Sequence, residues 1–330
     1  MRLPVRSSWQ LPSGGGRGWS ERPIIAGPPR ADVGVVLSFR RQSRAPRVAP
    51  GAARSGVAFV LSGGGNLGAA QVGGLLALLD AGIRPDVVVG CSVGALNGTY
   101  LAADPTLPQA EALAEVWRAL SSGSVFATPR RRQLANVVRG RDHILEDHGL
   151  RDLIRRLSPV TDIADCAVPM EVVTTDLELG AASWFTAGPS EDILAASAAL
   201  PGLFPPVELD GHLHVDGGVL EPLPVGRALD LGVATTYVLD VTAGTAASGV
   251  RDSRRPRSAL EVLVRSFEVS RVAHTPAPET LARPGQDVIV LPLADTSGLG
   301  LRDFSRTSAL IDDSRAVASR FLDGGLRLSA

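Results

Sequence analysis

From Val57 onward, apolar residues fall into short runs whose spacing alternates between strand and helix. "VAFVL", residues 57–61, is a continuous β-branched and aromatic run that reads as a buried strand. A glycine-rich loop follows, and then Leu75, Leu76, Leu78 and Leu79 mark a helix that Gly82 ends. Pro85 opens a second strand, "DVVVG", and Ser92 leads into a helix of small residues, "VGALNGTYLAA". Strand, helix and strand within about 35 residues make a βαβ unit, so a parallel sheet is expected. Residues from about 108 to 157 predict polar helices. "MEVVTTDL" and "ASWFT" read as strands joined by a turn at Glu178–Gly180. "EDILAASAAL" predicts a helix stopped by Pro201, and "HLHV" a short strand after an Asp210-Gly211 turn. "TTYVLDV" and "DVIVLPL" read as further sheet strands, and "DFSRTSALIDDSRAVASRFL" as a C-terminal amphipathic helix. The fold class is α/β, and no internal repeat is visible.

Residues 1–54 stand apart. They are rich in Gly, Pro, Ser and Arg, with Glu21 and Asp32 as the acids, and are expected to form a disordered tail. Residues 55–330 are expected to form one domain, with a motif-bearing core over about 57–242. At 45% hydrophobic and 20% charged, the chain can bury a sizeable core. The net charge of −1 gives no global basic field, so no nucleic-acid partner is expected. All the basic residues are Arg, which removes every Lys-based mechanism, a P-loop lysine included. Two cysteines, Cys91 and Cys166, in a chain of this size fit a reduced, cytoplasmic compartment. No apolar stretch reaches the ~18 residues of a membrane span, and no signal-like segment follows Arg2 and Arg6. One local feature is strongly basic: Arg130, Arg131, Arg132, Arg139 and Arg141. Such a run reads as a solvated face or, alternatively, as a peripheral contact with anionic headgroups.

"LSGGGNLG" after the first strand admits two readings. Gly63, Gly65 and Gly68 make G-x-G-x-x-G, a dinucleotide signature, and the same glycines could instead form a nest of amides around an oxyanion. A dinucleotide site needs an acid at the end of the second strand to hold the ribose. Asp86 begins that strand, and its end is "GCSVG", residues 90–94, a G-x-S-x-G turn. Such a turn holds Ser92 in a strained conformation at a helix N-terminus. Gly90 and Gly94 relieve the crowding around it. The loop is therefore expected to serve an oxyanion on Ser92, with donors from Gly63, Gly64, Gly65, Asn66 and Gly68.

A serine nucleophile needs a proton acceptor. In "HLHVDGG", Asp216 ends a strand ahead of Gly217 and Gly218, whose amides can orient its carboxylate for direct contact with Ser92. On a strand, His212, His214 and Asp216 share one face, so His214 as base with Asp216 as orienter is a rival reading. A metal site of the H-x-H-x-D kind lacks its expected further His, because Gly217 stands there. His274 is the one late histidine. Leu203 and Phe204, between two prolines, are candidates for one wall of an acyl pocket, with core packing as the alternative.

"SGGGNLG", "GCSVG" and "DGG", in this order, resemble the patatin-like phospholipases. "AASAALPGLFPPV" and "DFSRTSALI" resemble further segments of that family, and the resemblance runs from about Val57 to Leu322. It implies a three-layer α/β/α fold, a Ser92–Asp216 dyad, no metal or other cofactor, and hydrolysis of lipid acyl esters. The chain departs from the family pattern at Leu67, where a basic residue is frequent, at Glu221 and Pro222, where Asn is frequent, and at Cys91, where Thr is frequent. A silent lipid- or partner-binding module and a nucleotide-dependent oxidoreductase are the alternatives from other functional classes.

Overall fold

A computed structural model of the chain describes residues 55–126, 128–242, 259–299 and 303–328. The tail expected over residues 1–54 lies outside the described residues. Among the described residues, eight strands form one sheet: β1 (Val57–Leu61), β2 (Val87–Cys91), β3 (Met170–Asp176), β4 (Ala181–Phe185), β5 (Val207–Leu209), β6 (His212–Asp216), β7 (Thr235–Leu239) and β8 (Asp287–Val290). The hydrogen-bonded order is β5-β6-β3-β2-β1-β7-β8, with β4 paired to β3 off that path. Pairings from β3 through β2, β1 and β7 to β8 are parallel, and those of β4, β5 and β6 are antiparallel.

Among the described residues the α-helices are α1 (Gly68–Asp80), α2 (Val93–Ala103), α3 (Leu107–Arg118), α4 (Ser122–Val125), α5 (Arg130–Val138), α6 (His148–Leu157), α7 (Ser190–Ser197), α8 (Val225–Asp230), α9 (Ala259–His274) and α10 (Thr307–Leu328). They cover both faces of the sheet. Phe59 and Leu61 of β1 pack with apolar residues of α1, α2, α3, α6, α7 and α10, while Ala58 and Val60 pack with those of α8. This alternation makes three layers, α/β/α, and explains why β1 and β2 are unbroken apolar runs: both faces are buried. In α6 the same logic has the helical period, with Leu150, Leu153, Ile154 and Leu157 buried.

Three elements differ from the sequence expectation. The α7 helix ends at Ser197, short of Leu200, because Pro201 disfavours helical geometry at the residue before it and the chain turns ahead of that point. The three-residue β5 is too short to show a period. It pairs with β6 through a two-residue Asp210-Gly211 turn, and both turn residues have positive φ (53° and 80°), as the tightest hairpins require. The α9 helix, in a region that reads as rich in Arg and Pro, was not expected at all.

The register along β3 sets up the site. β4 and β6 both pair with Thr174–Asp176, so they lie on opposite edges of β3. β2 and β4 both pair with Val172 and Val173, so they too are on opposite edges. β2 and β6 therefore share one edge, meeting end to end. Cys91 pairs with Val173 and Asp216 with Thr174, so the residue after β2, Ser92, comes up against the last residue of β6.

Candidate active site

Ser92 sits between β2 and α2 at φ 53°, ψ −123°, a conformation that costs a non-glycine residue roughly 1–3 kcal/mol. Close backbone packing imposes it. A Cβ on Gly90 would lie 2.6 Å from the Gly94 carbonyl oxygen, and one on Gly94 would lie 2.3 Å from that of Leu61. The Ser92 amide donates to Ser197 Oγ at 2.9 Å, and Ser197 donates in turn to the Val173 carbonyl at 2.7 Å. The turn is thus tied to α7 and β3.

The Ser92 hydroxyl donates to Asp216 Oδ2 at 2.7 Å. Asp216 Oδ1 accepts the Gly218 amide at 2.7 Å and faces the Cys91 thiol at 3.9 Å. The backbone amide of Asp216 donates to the Ala199 carbonyl, and its carbonyl accepts from Thr175 Oγ1. Gly217 lets β6 close on β3, since a Cβ there would be 2.5 Å from the Val173 carbonyl oxygen. Both Ser92 and Asp216 are buried. Burial raises the Asp216 carboxyl above its ordinary 3.8, against the opposing effects of the Ser92 hydrogen bond, the Arg271 charge, the Gly218 amide and the Cys91 thiol. Burial, with the Asp216 charge beside it, also pushes the Cys91 thiol far up, so Cys91 is a neutral packing residue.

The glycine loop abuts this pair: a Cβ on Gly63 would lie 3.4 Å from Ser92 Cβ. Two of the expected amide donors are engaged within the protein. Gly63 N–H donates to the Pro222 carbonyl at 3.0 Å, and Gly68 N–H donates to that of Gly65. Tertiary packing delivers Pro222, which loop composition does not reveal. Gly68 acts instead by its small size, since a Cβ there would be 2.4 Å from Val93 Cγ2. Gly65, at φ 59°, has no acceptor for its amide among the described residues and lies between Gly64 and Asn66. The side chain of Asn66 donates to the Asp303 carbonyl at 2.6 Å, anchoring the loop to the segment before α10.

A buried polar network supports the loop. Gln71 Nε2 donates to the Ser62 carbonyl at 2.7 Å. Asn97 Nδ2 donates to the Gly68 carbonyl and to Gln71 Oε1, both at 3.0 Å, and accepts at Oδ1 from Trp117 Nε1 at 2.8 Å. Gln71 in an apolar helix and Ser197 in "AASAAL" are polar residues in apolar runs, the signal by which both could have been found. Arg271 of α9 was also missed, and nothing local to the sequence marks it. Its Nη2 donates to the Gly63 carbonyl at 3.1 Å, and its Nε would be 3.5 Å from a Cβ on Gly218.

The two histidines of H-x-H-x-D are turned to other partners. His214 Nδ1 is 2.9 Å from Thr174 Oγ1, with the ring edge-on to Phe185, and no imidazole stands between Ser92 and Asp216. His212 Nδ1 is 2.9 Å from Asp176 Oδ2. Asp176, Glu178 and His212 bring their ligand atoms within 4.8 Å of one another. This cluster lies about two residues, roughly 7 Å, along β3 from Asp216. Its carboxylates are committed to backbone amides: Asp176 Oδ1 accepts from Glu178 and Leu179, and Glu178 Oε2 from Leu213.

Leu203 and Phe204 are buried in the main core, with Phe204 stacked on Phe126 at 6.0 Å between ring centroids. Val219 and Leu220, three and four residues after Asp216, are 39% and 45% exposed. Among the described residues no helix is long and apolar enough to cross a membrane.

The patatin-like phospholipase family model matches residues 59–229. The patatin-like phospholipase domain-containing protein 7 of Rattus norvegicus is 31% identical over 201 residues, which is 60% of this chain and 14% of that protein. An uncharacterized NTE family protein of Mycobacterium bovis is 30% identical over 220 residues, 65% of this chain and 58% of that protein. The chain thus spans a small part of the first relative and under two thirds of the second. Among solved structures, VipD from Legionella pneumophila aligns with a TM-score of 0.44 at 15% identity, covering 82% of this chain and 67% of that chain.

Proposed function

The chain belongs to the patatin-like phospholipase family, and from that premise we propose that it hydrolyses fatty-acyl esters of phospholipids or lysophospholipids through Ser92 and Asp216. The observation that carries the reading is the direct 2.7 Å hydrogen bond from a strained serine hydroxyl to a buried carboxylate.

Ser92 Oγ attacks the ester carbonyl carbon as its proton passes to Asp216 Oδ2. Burial raises the proton affinity of that carboxylate, which brings it closer to what a general base needs than a solvated aspartate. Negative charge then collects on the former carbonyl oxygen. The Gly65 amide is the donor assigned to it here, and the N-terminus of α2 favours the same charge. The bond from carbon to the alcohol oxygen breaks, and Asp216 returns its proton to the leaving alcohol. Water attacks the resulting acyl-serine and gives a proton to Asp216. Ser92 leaves with that proton and the fatty acid is released. Val219 and Leu220 are suited to meet the acyl chain.

The test is a panel of p-nitrophenyl esters of increasing chain length, with the full chain and its Ser92→Ala variant. Turnover that rises with chain length and vanishes in the variant is expected. A folded protein with no turnover on any ester, or a variant as active as the parent, refutes the reading.

A further inference from the structure

We propose that α5 and the loop after it form a docking surface for an anionic lipid bilayer. The helix is inverted relative to the usual surface helix. Its inward residue, Asn136, is buried, and its Nδ2 donates to the Ile144 carbonyl at 3.3 Å and to Glu146 Oε1 at 3.4 Å. On the opposite side Leu134, Val137 and Val138 share one face, spaced three and four residues apart, and are 65%, 58% and 78% exposed. Scattered exposed aliphatics are ordinary, but three on one face of a nine-residue helix form a patch that something apolar should cover.

Charge identifies the occupant. Arg131, Arg132, Arg139 and Arg141 lie along and just after the same helix, all exposed and without an ion-pair partner among the described residues. No acidic residue occurs from Val116 to Arg141. A nucleic acid would engage the arginines and leave the aliphatic face in water. An apolar protein partner would strand the arginines. A bilayer with anionic headgroups meets both needs, with the aliphatics at the acyl boundary and the guanidinium groups at the phosphates. The surface is also joined to the candidate active site. The amides of Ile144 and Leu145, after α5, donate to the carbonyls of Gly202 and Leu203, and Ala199 of the same connecting segment accepts the Asp216 amide.

Docking does not require Ser92, so it is tested apart from hydrolysis, in the full chain carrying Ser92→Ala. Binding is read by co-sedimentation with phosphatidylcholine vesicles, with and without phosphatidylglycerol. The parent should bind the anionic vesicles at low salt and bind the neutral ones far more weakly. Leu134→Ser with Val137→Ser and Val138→Ser should weaken binding more than tenfold with little change in Tm, since all three side chains are exposed. Arg→Gln at 131, 132, 139 and 141 should cost about fivefold per charge. Three outcomes overturn the proposal: no binding by the folded parent, parent-like binding by both variants, or a serine variant that keeps vesicle binding while a dimer becomes a monomer.

Discussion

Arg271 Nη2 donates to the Gly63 carbonyl at 3.1 Å, tying α9 to the glycine loop beside Ser92. The same guanidinium is the nearby positive charge that favours the ionised Asp216. Arg271→Gln removes both effects and should lower kcat/KM by about ten- to a hundredfold, the worth of a charge-assisted hydrogen bond of ~1.5–3 kcal/mol. Arg271→Lys keeps the charge without the planar fork. It should restore the pH profile more fully than the rate. If both variants lose activity with no movement of the profile, Arg271 serves the fold alone.

The pH dependence follows from Asp216. Its carboxyl lies above 3.8 in the folded protein because it is buried, and it must be ionised to accept a proton. The acid limb of kcat/KM should therefore fall above pH 3.8, and in Arg271→Gln it should move higher still. Stability has the matching sign. A carboxyl whose folded pKa is raised favours the folded state below its unfolded pKa, and this contribution is lost as pH rises through the folded value. Asp216→Asn, which cannot ionise, should thus be more stable than the parent near neutral pH. The difference should shrink as pH falls toward 3.8. Thermal melts of both proteins across that range check this.

The turn around Ser92 depends on missing side chains. A Cβ on Gly94 would press on the Leu61 carbonyl oxygen at 2.3 Å, which is rigid strand backbone. Gly94→Ala should cost about 1–3 kcal/mol of stability, typical of overpacking, and should cut activity by displacing Ser92. Gly82→Ala makes a useful contrast, because a Cβ there meets nothing within 4 Å. Its cost should come only from the positive φ of 74°, with ester turnover preserved.

Chain-length selectivity separates the two apolar groups near the site. Phe204 is buried against Phe126, so Phe204→Ala should lose about 3–5 kcal/mol of stability and affect short and long esters alike. Leu220, four residues after Asp216, is half exposed, and Leu220→Ser should penalise long-chain esters selectively. Comparing butyrate with palmitate esters reads both effects. A selective loss in Phe204→Ala would place the acyl chain against Leu203 and Phe204 instead.

What the sequence revealed depended on how local each cause is. The βαβ start was legible because β1 and β2 are buried on both faces and so lack polar interruption. Gly90 and Gly94 were legible because backbone crowding within one turn demands them. The use of each loop amide was not, because a carbonyl from Pro222 decides the fate of Gly63 N–H. Arg271 reaches the site from a helix far along the chain, and no spacing rule foretells it. The inward Asn136 and outward Leu134 of α5 were hidden for a similar reason: the run of arginines reads as solvated until the aliphatics beside it are seen exposed.

The most direct measurement is covalent labelling of the full chain with a long-chain fluorophosphonate, read by mass spectrometry of the resulting peptides. One adduct is expected, on Ser92. It should be absent in Ser92→Ala and should form at least a hundredfold more slowly in Asp216→Asn, because the hydroxyl then has no carboxylate to accept its proton. An adduct on another residue, or a folded Asp216→Asn protein labelled as fast as the parent, would contradict the Ser92–Asp216 mechanism.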